Sequence, residues 1–136
     1  MRAILDTNVF ISGLFFKGPP YEILKAWQNG KFDLVISPNI LEEYRRVGRA
    51  LNAKYSAVNI QPILEFITVH SIIISDSLLS QQVSKDPDDD KFITCALSSK
   101  SKLIVSGDHD LLDISGYKGI KIVKPRTFID EYLSKR

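Results

Sequence analysis

Apolar residues in this chain form five short runs, and most of them consist of valine, isoleucine and leucine. These runs predict β-strands at residues 2–5, 34–36, 72–74, 103–105 and 120–123. Within most runs the apolar positions are continuous rather than alternating, which is typical of parallel strands that are buried on both faces.

Between the runs, apolar residues recur at helical spacing, and prolines mark several of the helix starts. Pro19-Pro20 and Ser37-Pro38 both have the sequence of a helix N-terminus. Strands that alternate with helices predict an α/β fold, with three α/β/α layers around a mainly parallel sheet and a single domain over residues 1–136. The predicted helices begin near residue 8 and cover residues 21–28, 38–51, 56–69 with Pro62 as an interruption, 86–99, and the chain after Pro125.

Composition leaves this fold class unchanged and excludes several kinds of site. A chain of 136 residues with 44% hydrophobic and 25% charged residues is ordinary for a globular protein. The net charge of +2 neither identifies nor excludes a nucleic-acid binder. Cys95 is the single cysteine, so an intrachain disulfide and a cysteine metal cluster are excluded, and we expect a small buried apolar role for it.

The N-terminal segment and the apolar runs do not match a targeting or membrane segment. Asp6 interrupts the first apolar run, so the segment has no signal-peptide core, and the other runs are far too short to span a bilayer. We therefore expect a cytoplasmic protein with no membrane association.

Four acidic segments stand out against this background. They are Asp6, Glu42-Glu43, Asp88-Asp89-Asp90 and Asp108-His109-Asp110. Asp6 and Asp108 follow predicted strands, and parallel sheets bind ligands beyond the carboxyl ends of their strands. Because gathered carboxylates repel one another, a pocket that collects one from each segment needs cations. The pattern therefore favours divalent-metal chemistry on a phosphate.

Each acid also has a purely local interpretation. Asp6 can be the N-cap of the helix that begins near Asn8. Glu43 lies on the flank of a buried stripe in its helix, where a carboxylate is costly unless paired, and Arg46 or Lys54 can pair with it. Glu42 lies on the far face of the same helix.

The acidic run at residues 88–90 and the last acidic segment each allow more than one assignment of the functional residue. Asp86 can cap a helix whose first turn is favourable for acids, and helical phase does not choose between Asp89 and Asp90 as the inward side chain. Asp108 and Asp110 fit a turn after Gly107. A set of oxygen ligands suits Mg²⁺ or Mn²⁺, and His109 is a less favoured ligand.

Together these residues resemble the PIN-domain ribonuclease family. The matching stretches begin at Leu5, Ser37, Asp86 and Val105, they occur in the family's order, and the resemblance covers nearly the whole chain. It implies that the catalytic, metal-binding acids are Asp6, Glu43, Asp90 and Asp108, with Asp110 as an auxiliary ligand and Thr7, Asn8, Ser12, Asp89 and Ser106 as supporting residues. Ser106 stands where the family commonly has threonine, which keeps the hydroxyl.

The resemblance also implies a function. It points to an RNase dependent on Mg²⁺ or Mn²⁺, and single-domain prokaryotic members are often homodimeric toxins that are paired with an antitoxin protein. Basic residues on the third predicted helix can attract the RNA backbone, although a solvated helix face explains them equally well. These candidates are Arg45, Arg46, Arg49 and Lys54.

Three other functions fit less of the sequence. A haloacid-dehalogenase-like Mg²⁺-dependent phosphatase also places Asp after the first strand, but it needs a second acid where this chain has Asn8. A receiver domain requires a phosphorylatable Asp after a middle strand, and Asp76 fits that position poorly. A PIN-fold module that binds RNA or protein without cleaving is the remaining alternative.

Overall fold

The central sheet has five strands, all parallel, in the order β3-β2-β1-β4-β5. The computed structural model describes residues 1–76 and 82–134. The strands are β1 (Arg2–Leu5), β2 (Asp33–Ile36), β3 (Ile72–Ile73), β4 (Leu103–Val105) and β5 (Lys121–Val123). The order places β1 in the middle of the sheet, with the register Leu5 beside Val105 on β4.

Helices connect successive strands and cover the sheet. They are α1 (Thr7–Phe15), α2 (Pro19–Gln28), α3 (Pro38–Lys54), α4 (Gln61–His70), α5 (Asp90–Ser99), α6 (His109–Leu112) and α7 (Pro125–Phe128), which a π-helical turn (Ile129–Leu133) continues. This arrangement confirms the predicted three-layer α/β/α fold with a parallel sheet.

The predicted caps are present, and two helix starts differ from the predictions. Ser37 caps α3 by accepting a hydrogen bond from the Ile40 amide at 3.3 Å. Helix α4 begins only at Gln61, since Pro62 is compatible with a first turn and not with a helix interior. A 3₁₀ turn (Pro87–Asp89) precedes α5, where sequence periodicity predicts continuous α-helix.

Tyr44 fixes α3 against the centre of the sheet. Its ring is fully buried and stacks on Phe10 of α1, with ring centroids 4.1 Å apart. Its hydroxyl donates to the carbonyl oxygen of Leu5, the last residue of β1. The neighbouring residue Glu43 is therefore held beside the carboxyl end of β1.

The described residues contain no helix long and apolar enough to cross a membrane. Cys95 is 1% exposed, which confirms its expected place in the core. Burial raises the pKa of its thiol to about 12, so the thiolate that a nucleophile needs is scarce at neutral pH.

Candidate active site

Asp6 lies at the carboxyl end of β1 and has two structural roles. Its Oδ1 accepts a hydrogen bond from the Val9 amide at 2.8 Å, which caps α1, and its Oδ2 accepts from the Ser106 hydroxyl. The N-cap interpretation is thus confirmed, and the second oxygen is turned toward β4. A single carboxylate both starts a helix and joins two neighbouring strand ends.

Burial raises the pKa of Asp6 to about 6, because the side chain is only 4% exposed and water no longer solvates its charge. The hydrogen bonds from Ser106 and Val9 oppose that rise, and the negative charges of Asp108 and Glu43 add to it. Asp6 is therefore in electrostatic contact with two of the other predicted acids.

Ser106 connects the first and last acidic segments. The residue is fully buried after β4, and its oxygen accepts a hydrogen bond from the Asp108 amide at 2.9 Å while its hydroxyl donates to Asp6. Parallel pairing makes this possible, because the Asp6 amide continues the β1 ladder to the Val105 carbonyl at 3.0 Å. Ser106 thus orients Asp6 and the backbone that carries Asp108.

Glu43 receives donors from three elements. The Thr7 hydroxyl donates to its Oε2, the Lys91 ammonium pairs with its Oε1, and Arg46 lies 3.9 Å from the same oxygen. The side chain is 14% exposed and that of Lys91 is 18% exposed. The predicted partner Arg46 is therefore present, and a second cation from α5 is closer.

Lys91 was missed by reasoning from the sequence. It lies in the first turn of α5, where the helix dipole disfavours a cation, and that unfavourable position is the one signal the sequence offered. Its contact with Glu43 spans 48 positions in the chain, so only the fold brings the two together.

Three carboxylates from the acidic segments lie close to one another. Asp89, Asp108 and Asp110 each present an oxygen, and these oxygens all lie within 4.8 Å of one another. Asp108 also caps α6 by accepting from the Asp110 amide at 3.2 Å, which holds the last two acids in one turn.

The pKa of Asp89 is raised to about 8. Burial is the largest cause, followed by a hydrogen bond with Asp108 and by the negative charges of Asp108 and Asp86, while the Ser84 hydroxyl opposes the rise. Burial and the neighbouring negative charges disfavour the charged form of this carboxyl. A cation among the three carboxylates would offset the same repulsion.

Asp90, the third acid that the family resemblance implies, lies outside this group of three. Its two oxygens accept from the backbone amides of Val83 at 3.0 Å and Ser84 at 2.7 Å, which fastens the segment before the 3₁₀ turn to α5. Its predecessor Asp89 points to Asp108 instead. Asp86 caps the turn by accepting from the Asp88 amide at 3.0 Å, as its sequence predicts.

The remaining predicted residues differ in their burial and in their contacts. Thr7 is buried and contacts Glu43, Ser12 is partly buried in α1, and Asn8 and His109 are exposed. Glu42 faces solvent as expected and pairs with Arg45 at 3.7 Å, while Lys54 lies over the ring of Tyr55. Arg49 is exposed farther along α3.

The donor set fits a hard divalent cation. It consists of carboxylate oxygens, as Mg²⁺ and Mn²⁺ prefer, and burial together with the negative charges of Asp108 and Asp86 raises the pKa of Asp89. The residues that would hold the ion are Asp89, Asp108 and Asp110, with Asp6 and Glu43 beside them.

Comparison with known proteins identifies the family of this chain. An uncharacterised protein of Methanocaldococcus jannaschii is 33% identical over 143 residues, an alignment that covers 97% of this chain and 92% of that protein. The family model described as PIN domain matches residues 2–110, which include all the acids of the site. This chain therefore belongs to the PIN-domain family, whose fold indicates a nuclease.

Proposed function

We propose that this protein is an endoribonuclease that hydrolyses RNA phosphodiester bonds with Mg²⁺ or Mn²⁺. The observation that carries the proposal is the group formed by Asp89, Asp108 and Asp110, which lies at the carboxyl edge of a PIN-family sheet. A divalent cation bound there supplies a Lewis acid and an activated water for attack on the scissile phosphate.

In this proposal the metal ligands are Asp89, Asp108 and Asp110, with Asp6 and Glu43 completing the acidic set. Asp6 is held in one orientation by the Val9 amide and the Ser106 hydroxyl, so its carboxylate needs no rearrangement. Asp90 takes a positioning role, because its hydrogen bonds to residues 83 and 84 set the path of the chain into Asp89.

Glu43 and Lys91 form the side of the site that lies on α3 and α5. The Lys91 ammonium neutralises Glu43, so this carboxylate adds little to the repulsion among the acids. The Thr7 hydroxyl fixes the other oxygen of Glu43. The chain thus supplies its own cation on one side of the site and leaves the other side for an ion.

Cleavage of a labelled single-stranded RNA tests the proposal. We expect cutting with added Mg²⁺ or Mn²⁺, products with a 3′-hydroxyl and a 5′-phosphate, and no cutting in EDTA. Asp108→Asn should lower the rate at least about a hundredfold, because it removes a charged ligand. The matched control is Asp113→Asn, the same change at the exposed residue that directly follows α6, which should leave the rate within about twofold.

Two results would contradict the proposed mechanism. Undiminished cutting in EDTA would remove the metal from the reaction, and an Asp108→Asn enzyme with full activity would remove the carboxylate group. Binding of RNA with no cutting in either metal would favour the alternative of a PIN-fold binding module.

We further propose that the nuclease acts as the toxin of a toxin–antitoxin pair and works as a homodimer in the cytoplasm. This part rests on the family resemblance of a single PIN domain. A gene for a small DNA-binding antitoxin next to this one would support the role. Normal growth of cells that contain the active nuclease and no such partner would count against it.

A further inference from the structure

A cavity of about 540 Å³ opens at the far end of α3, away from the acids. It lies between the last turns of that helix and the connection to α4. Its lining combines one cation, two amides and a hydroxyl with two small apolar side chains: Arg49, Asn52, Ala53, Ser56, Val58 and Asn59. Its volume lies within the range of small-ligand sites, about 300–1,000 Å³, and most of the residues that line it are polar.

Hydrogen bonds hold the wall of this cavity in place. The Asn52 amide nitrogen donates to the Tyr55 carbonyl at 3.2 Å and to the Val58 carbonyl, while the Asn59 side-chain oxygen accepts from the Gln61 amide at 3.2 Å. These bonds use the donor end of Asn52 and the acceptor end of Asn59. The side-chain oxygen of Asn52 and the side-chain nitrogen of Asn59 take no part in these bonds. Nucleobases are recognised by pairs of one acceptor and one donor of this kind.

Two aromatic rings stand beside the cavity and are open to solvent. Tyr55 is 39% exposed and Phe16 is 50% exposed, and their rings meet edge to face with centroids 5.6 Å apart. The Lys54 ammonium lies 5.6 Å from the centre of the Tyr55 ring. Exposed rings combined with cations are the surface on which single-stranded nucleic acids stack their bases.

One ridge of α3 links this surface to the acidic site. Glu43, Arg46, Arg49 and Asn52 follow one another at intervals of three residues, so they form a row that runs diagonally around the helix and turns by about 60° at each step. Arg46 contacts Glu43 at 3.9 Å, and Arg49 and Asn52 line the cavity. The nine steps from Glu43 to Asn52 rise about 14 Å while the row turns by about half a circle, a path that a few nucleotides of single strand can follow.

We propose that the cavity and the adjoining Tyr55 ring bind an unpaired base of the RNA, a few nucleotides from the bond that is cut. Arg46 and Arg49 lie along the intervening phosphates, and Tyr55 stacks on the base. The inference rests on the proposed function, because it takes RNA as the molecule that reaches the acidic site. It specifies single-stranded RNA with an intact base at this position as the preferred substrate.

The test measures RNA binding without cleavage, by fluorescence anisotropy of a 5′-fluorescein octauridine in EDTA. Arg49→Gln and Tyr55→Leu should each weaken binding about tenfold, since a stacked base or a phosphate contact is lost. Tyr55→Leu retains apolar bulk in case smaller residues disturb the fold. With an octamer of abasic residues, the effect of Tyr55→Leu should disappear and that of Arg49→Gln should persist.

The chain offers a matched control for each variant. Arg126→Gln removes the same charge at an exposed position in α7, a different helix. Tyr21→Leu removes a ring that is 37% exposed and also lies 5.6 Å from a lysine, Lys25 of α2. Both controls should change the affinity by less than about twofold.

Several results would contradict the proposal that a base binds at this cavity. They are equal losses in Arg126→Gln and Arg49→Gln, no loss in Tyr55→Leu, or a wild-type protein that binds neither octamer. If Tyr55→Leu leaves RNA affinity intact and lowers the mass measured by light scattering, the rings instead form a contact between copies of the chain. Because binding is measured in EDTA, a protein that shows the expected losses but never cuts RNA would refute the nuclease proposal alone.

Discussion

The carboxylates of the site form two groups that differ in what balances their charge. Asp6 and Glu43 are surrounded by donors from the protein: a backbone amide and a serine hydroxyl for Asp6, and a threonine hydroxyl and the Lys91 ammonium for Glu43. We call these two residues the balanced acids.

The other group is Asp89, Asp108 and Asp110, which we call the unbalanced acids. Among the described residues no lysine or arginine pairs with them, and burial together with the charge of Asp108 raises the pKa of Asp89. This difference indicates which carboxylates would bind an added cation more favourably. The cation would offset the repulsion among the unbalanced acids, whereas at Glu43 it would compete with an ammonium group that is already there.

The largest expected effect separates two neighbouring residues of the acidic run. Asp89→Asn should weaken Mn²⁺ binding at least about a hundredfold, because it removes a ligand from the unbalanced acids. Asp90→Asn makes the same change in charge at a residue bonded to the Val83 and Ser84 amides, so it should lower thermal stability and reduce Mn²⁺ affinity much less. Calorimetric titration with Mn²⁺ measures the affinity of both variants, and thermal melting measures their stability.

The reverse order of affinities would contradict this assignment. If Asp90→Asn abolished Mn²⁺ binding and Asp89→Asn retained it, Asp90 would be the ligand that the family resemblance implies.

A smaller effect should follow from removing the cation of the balanced acids. Lys91→Met leaves Glu43 partly buried without its closest cation, which should destabilise the metal-free protein by about 2 kcal/mol. Lys91→Arg keeps the charge and is the matched control. Thermal melting in EDTA gives the difference, and the same melts with Mn²⁺ should show a smaller gap, since a cation then compensates the acids.

Equal melting temperatures for Lys91→Met and the wild type in EDTA would show that Glu43 does not depend on this ammonium. A gap that widened with Mn²⁺ would also contradict the proposed competition.

The smallest expected effect is a dependence of stability on pH that runs opposite to the usual one for carboxylates. The pKa of Asp6 is raised to about 6 from 3.8, so the folded chain holds this proton more tightly than the unfolded chain. The stability from Asp6 is present at low pH and is lost as pH rises through about 6. Between pH 5 and 7.5 this loss is on the order of 1 kcal/mol.

Asp89, with its pKa raised to about 8, contributes in the same direction. Denaturant unfolding in EDTA at the two pH values measures the change, and a saturating concentration of Mn²⁺ should reduce it. A metal-free protein that is more stable at pH 7.5 than at pH 5 would rule out this interpretation.

Much of the fold follows from the sequence because its signals are local. Continuous apolar runs identified every strand of the sheet, and Ser37-Pro38 located the start of α3. The position of Asp6 at a strand end and its role as an N-cap were also predictable, since both depend on immediate neighbours.

The residues of the site that the sequence could not assign depend on the type of helix and on packing between distant segments. Helical phase could not choose between Asp89 and Asp90, because the acidic run is a 3₁₀ turn that joins α5 at Asp90, and three residues per turn rotate the side chains differently from 3.6. The pairing of Lys91 with Glu43 and the cavity beside Tyr55 arise from packing between distant segments, which no local pattern encodes.

The burial of Cys95 has a practical consequence for experiments on this chain. Its thiol is nearly inaccessible, with a pKa raised to about 12, so maleimide and iodoacetamide reagents should modify it very slowly in the folded protein. A cysteine introduced at an exposed position such as Lys17 would then be the one residue that takes a fluorophore or spin label. Distances from that label to RNA could be measured without first removing the native thiol from the core.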